Sequence, residues 1–98
     1  MIKDVTSRFE YQQIVGLAAS TALTVPARDV NGIRTSPTVA VITPETQGVR
    51  WRDDGVAPTA TVGMPLAVGA VLVYDGDLSA IRFFQQAATA TLNVSYYK

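Results

Sequence analysis

Two pairs of carboxylates stand close together in this sequence. Asp53 and Asp54 end the stretch G-V-R-W-R-D-D-G (48–55), and Asp75 and Asp77 flank a glycine in D-G-D (75–77). Acids brought together from two tight loops are the ingredients of a calcium site, which takes about six to eight oxygen ligands. Neither stretch supplies alternating ligands along a loop or a glutamate at the offset that closes one. Asp-Gly also has a backbone reason to be there: glycine tolerates positive φ, and aspartate bonds the chain two residues on. The turn reading therefore outweighs the metal reading, and no metal site is expected.

Catalysis fares no better. A glycosidase needs two carboxylates facing each other across a cleft, and Glu10 and Glu45 are the only glutamates in a chain with short loops. There is no histidine and no cysteine, so the commonest general base, the thiolate nucleophile and disulfides are all excluded. No Gly-x-Ser-x-Gly elbow is present. The glycines of 48–55 precede neither Lys-Ser/Thr nor a helix, so they do not form a phosphate loop. The expectation is a protein that is not an enzyme and carries no cofactor.

Trp51, the only tryptophan, sits between Arg50 and Arg52. It could be a stacking platform for a sugar or an anchor for a partner. In an alternating strand it shares a face with Val49, and that favours the core. Arg50 and Arg52 then point the other way, toward Asp53, Asp54 or a carboxylate of a neighbouring strand. Exposed, such pairs add little stability; in a subunit interface they set register and specificity. Arg50, Arg52, Asp53, Asp54 and Tyr97 are the candidate interface residues.

The elements that position these residues have a period of two. T-V-A-V-I-T (38–43) and V-R-W-R (49–52) alternate, joined by P-E-T-Q-G (44–48), a connection of hairpin length. V-A-P-T-A-T-V-G-M-P (56–65) carries two prolines and a glycine and suits an irregular or edge segment. A-V-L-V-Y (70–74) and L-S-A-I-R-F-F (78–84) read as a hairpin about D-G-D. A-T-L-N-V-S-Y-Y (90–97) places Leu92, Val94 and Tyr96 inward. Ser7 and Glu10 fit a capping box for a helix over 8–18, but alternation of Phe9, Tyr11 and Gln13 favours a strand. A-L-T-V-P (22–26) is a further short strand, and R-D-V-N-G-I-R-T-S-P (28–37) a loop turning at Asn31-Gly32. Six to eight short antiparallel strands predict an all-β single domain over 1–98, a small β-sandwich or jelly-roll-like fold.

Ninety-eight residues suffice for one marginal core. Apolar residues make up 48% and charged residues 16%, against about 25% charged in typical domains. The surface is thus poor in charge, a hint of permanent assembly. Net charge is zero and the basic residues are scattered, so nucleic acid is not an expected partner. No apolar run reaches the roughly 18 residues of a membrane span, and the N-terminal stretch is too short in apolar residues for a signal peptide. A cytoplasm-like site of synthesis follows.

Three blocks, V-R-W-R-D-D-G-V-A-P-T-A-T-V-G-M-P-L, L-V-Y-D-G-D-L-S-A-I-R-F and A-T-L-N-V-S-Y-Y-K, taken in order, resemble small virion structural proteins of tailed bacteriophages, of the head decoration or cement kind. The resemblance covers Val49 to Lys98; F-E-Y-Q-Q-I-V-G-L and A-L-T-V-P match loosely. It implies a non-enzymatic β-sandwich on the capsid exterior, a homo-oligomer with a homotrimer favoured, bound to the major capsid protein across its seams. Residues 1–13 would suit a capsid-docking arm. Two rivals stay open: a tail, collar or fibre-base structural or adaptor protein, and a display module that binds host glycan through Trp51, Tyr96 or Tyr97.

Overall fold

The computed structural model describes residues 8–30 and 32–98. It is an all-β single domain of two four-stranded antiparallel sheets packed as a sandwich. The strands are β1 (Arg8–Ile14), β2 (Thr21–Ala22), β3 (Arg28–Val30), β4 (Ile33–Thr35), β5 (Val39–Glu45), β6 (Val49–Arg52), β7 (Met64–Leu66), β8 (Leu72–Tyr74), β9 (Arg82–Gln85) and β10 (Thr91–Tyr97). The first sheet has the order β1-β10-β5-β8, the second β2-β9-β6-β7, and β3-β4 form a separate two-stranded ribbon. No helix among the described residues is long and apolar enough to cross a membrane.

Alternation produces the core. On β10, Leu92, Val94 and Tyr96 are buried while their neighbours are half-buried, and β5 does the same with Ala40, Ile42 and Pro44. Register sets Val94 opposite Ile42 and Tyr96 opposite Ala40, so one face of this pair is continuously apolar. The second sheet answers with Val49, Phe83 and Leu66. Leu17, Leu78 and Ile81, all buried, come from connecting segments and close the ends. Burying side chains of this size contributes about 1.5–3 kcal/mol each. That is what a small domain needs to offset chain entropy.

The 8–18 segment holds the strand that alternation favours, ending at Ile14; Ser7 lies outside the described residues. Other expectations shift. P-E-T-Q-G and D-G-D are not hairpin turns: β5 and β8 belong to the first sheet, β6 and β9 to the second. Both connections cross between layers. Residues 78–80 form a turn, so the return strand starts only at Arg82. The short strand expected at 22–26 is β2, over Thr21–Ala22. The supposed loop 28–37 contains the β3-β4 hairpin, with Gly32 at φ +79°; Asn31 lies outside the described residues. The 56–65 segment behaves as expected, irregular up to an edge strand with Pro65 in its middle.

Candidate functional site

β6 carries Arg50 and Arg52 on the outer face of the second sheet. Register places Arg50 opposite Phe84 and Arg52 opposite Arg82, and cross-strand partners share a face. The three arginines whose side chains are described therefore stand together around Phe84. Each guanidinium is held. Arg50 donates to the carbonyls of Ala60 and Gly63 at 3.2 and 2.9 Å, pinning the β6–β7 loop. Arg52 makes a two-pronged ion pair with Asp54, Nε to Oδ1 at 3.0 Å and Nη2 to Oδ2 at 2.5 Å. Arg82 donates to the carbonyl of Ser79 at 2.8 Å.

The carboxylates at this end are likewise engaged. Arg52 holds the Asp54 carboxyl below the usual aspartate range, chiefly by direct hydrogen bonding. Asp53 accepts the phenol O–H of Tyr74 at 2.8 Å. Asp77 accepts from the Ser79 hydroxyl and backbone N–H at 2.6 and 3.0 Å, bonds that lower its pKa. Asp77 thus builds its own turn, the backbone role expected of D-G-D. Among the described residues no three His, Cys, Asp or Glu side chains gather as a metal site would require.

Trp51 faces inward, half-buried, and meets the Tyr74 ring edge-on, with centroids 6.0 Å apart and planes at 62°. It packs against the core, as its position beside Val49 predicts, but it also walls a groove of about 450 Å³ with Val62, Gly63 and Met64. Arg52, Asp53 and Asp54 lie along the rim. An aromatic floor with a polar rim is a general ligand-pocket pattern.

Tyr97 is elsewhere. It lies on the outer face of the first sheet, beside Val39, Val41 and Val73, on the opposite side of the sandwich from the arginines. The five candidate interface residues thus divide over two surfaces. Three contributors escape sequence reasoning: Tyr74, which secures Asp53; Arg82, brought to Arg52 by register; and Val73 of β8, exposed beside Tyr97. Only the last left a local trace, in the apolar run A-V-L-V-Y. Tyr96, a candidate glycan platform, is fully buried and donates its O–H to Gln12, so it offers no stacking face.

No protein-family model matches the chain. Comparisons with curated proteins and with solved structures give no match either.

Proposed function

We propose that the chain is a non-enzymatic structural protein of a tailed-phage virion, a decoration protein on the capsid exterior that binds across seams of the major capsid protein. The observation that carries this reading is the arginine face: Arg50, Arg52 and Arg82 fixed around Phe84 on one side of a compact sandwich. Guanidiniums already held by backbone carbonyls and Asp54 lose little freedom on docking. They select an acidic, register-specific partner surface rather than any surface. Occupying many equivalent seams stabilises a shell by mass action. The resemblance of residues 49–98 to decoration proteins supports the same reading.

The test is to compare virions assembled with and without the protein. Loss of heat resistance in its absence, restored by adding the purified wild-type chain but not the Arg52→Glu/Arg82→Glu variant, is the expected outcome. Shells equally resistant without it overturn the proposal.

The groove beside Trp51 favours a second reading, a display module for host glycan. A glycan titration monitored by Trp51 fluorescence separates the two: a saturable change supports the glycan module, and an unresponsive signal removes it.

A further inference from the structure

Arg52 and Arg82 stand opposite each other in the register of β6 and β9, and like charges directly across a strand pair repel. One of the two is neutralised within the chain. Arg52 grips Asp54 through Nε and Nη2, the side-on edge that matches the two oxygens of a carboxylate. Arg82 is held differently. Its Nη1 donates to the carbonyls of Ser79 and Ile81 at 2.8 and 3.3 Å. Among the described residues, its Nε–Nη2 edge has no acceptor and its charge no carboxylate ion pair. Arg82 also lines a cleft of about 400 Å³, walled by Ser20 at the start of β2, the 55–57 loop and the 79–80 turn. Small side chains, Ala57 and Ala80, leave it room. Ser20 brings a hydroxyl that has no partner among the described residues.

A guanidinium fixed by one arm, with its side-on edge free, is pre-organised to take an oxyanion and has little freedom left to lose on binding. The surroundings select which oxyanion. Asp54 precedes the 55–57 loop and is engaged by Arg52. Asp77 is tied to Ser79 in the adjoining turn and feels the charge of Arg82. A doubly charged phosphate would be repelled by both carboxylates, and a singly charged carboxylate less so; the Ser20 hydroxyl can donate to it. We propose that this cleft receives one carboxylate, the side chain of an Asp or Glu on the partner, held two-pronged by Arg82 as Asp54 is by Arg52. The site rests on the reading of the arginine face as a docking surface and narrows it to one attachment point. Arg50 and Arg52 use their donors within the chain, whereas Arg82 turns its fork outward.

The experiment is an NMR titration of the full chain with sodium acetate, which stands in for the side-chain carboxylate, against sodium chloride at constant ionic strength. The Arg82 Nε–H resonance should shift saturably with acetate and not with chloride. That of Arg52, held by Asp54, should stay in place. Arg82→Lys keeps the charge and loses the fork, so acetate binding, followed there by the amide resonances of the 55–57 loop, should weaken about tenfold, as loss of one charge-assisted bond implies; its amide spectrum elsewhere checks the fold. Phosphate should bind no more tightly than acetate. The proposal is overturned if acetate acts no differently from chloride, if Arg82→Lys binds acetate as the wild type does, or if phosphate binds more tightly. Failure of the docking reading looks different: acetate still binds at Arg82, but virions are equally heat-resistant without the protein. Heat resistance conferred by a chain that does not bind acetate would keep the docking reading and remove this site.

Discussion

The phenol of Tyr74 and the carboxylate of Asp53 meet at 2.8 Å and tie the two sheets together. Tyr74 ends β8 in the first sheet, and Asp53 follows β6 in the second. Trp51 packs against the same ring. Tyr74→Phe keeps the ring contact and deletes the bond. Because Asp53 is exposed, its carboxylate is rehydrated, and the cost should be modest, about 1 kcal/mol. Urea unfolding followed by Trp51 fluorescence measures it. Tyr74→Ala also removes the buried ring and should cost about 3–5 kcal/mol, the range of large aromatic truncations.

The same pair contributes to an alkaline limit. Burial first, then the hydrogen bond and negative charge of Asp53, push the Tyr74 hydroxyl from 10.0 up to about 12. An acid whose pKa is raised by folding favours the folded state while it stays protonated. Its contribution is complete below the unfolded value and lost as pH rises through the folded one. Stability should therefore fall between about pH 10 and 12, with late tyrosinate absorbance accompanying it, and the decline should be shallower in Tyr74→Phe. A slope unchanged by the substitution would show that other groups set the limit.

How far the sequence discloses this molecule depends on the range of the physics involved. Alternation on 91–97 and 39–43 is a property of single strands facing a core, so Leu92, Val94, Tyr96, Ala40 and Ile42 are legible. Turn chemistry is also local: D-G-D announces that the chain bends. It does not announce whether the next strand pairs in the same sheet or crosses to the other, and so both hairpins are misread. Leu78 and Ile81 look like strand residues because they are apolar; they are buried in a connection that caps the sandwich. At the candidate site, Arg52 with Asp54 is a two-residue spacing and readable. Arg52 beside Arg82 and Asp53 beside Tyr74 follow from pairing and layering, which no window of sequence contains.

Arg50 provides a test of loop anchoring separate from charge. Its guanidinium holds Ala60 and Gly63 through their carbonyls, and these lie within the longest connection between two strands of one sheet. Arg50→Met keeps the apolar stem over the sheet but removes the donors. The expected loss is about 1–3 kcal/mol for two charge-assisted bonds to partly buried acceptors. It should be accompanied by faster amide exchange and proteolysis within 56–63. Arg50→Lys should rescue only partly, since one ammonium cannot reproduce the guanidinium fork. If loop protection is the same in all three proteins, Arg50 does not anchor the loop.

Two glycines separate backbone strain from crowding. Gly55 has φ +85° with open space where a Cβ would stand. Alanine there pays only for the left-handed conformation, about 1–2 kcal/mol. Gly63 has φ +136°, and a Cβ would lie 3.1 Å from Arg50 Cβ, 3.2 Å from the Trp51 carbonyl oxygen and 3.3 Å from Pro58 Cβ. Its neighbours are a backbone oxygen and the stiff base of two side chains, which cannot swing aside. Gly63→Ala therefore adds overpacking, about 1–3 kcal/mol, to its backbone cost, and it displaces the loop that Arg50 holds. Urea melts of the two variants should rank Gly63→Ala clearly below Gly55→Ala, with altered Trp51 emission only in the former. Equal losses would mean that the loop yields to the added methyl and that the groove beside Trp51 is softer than its contacts imply.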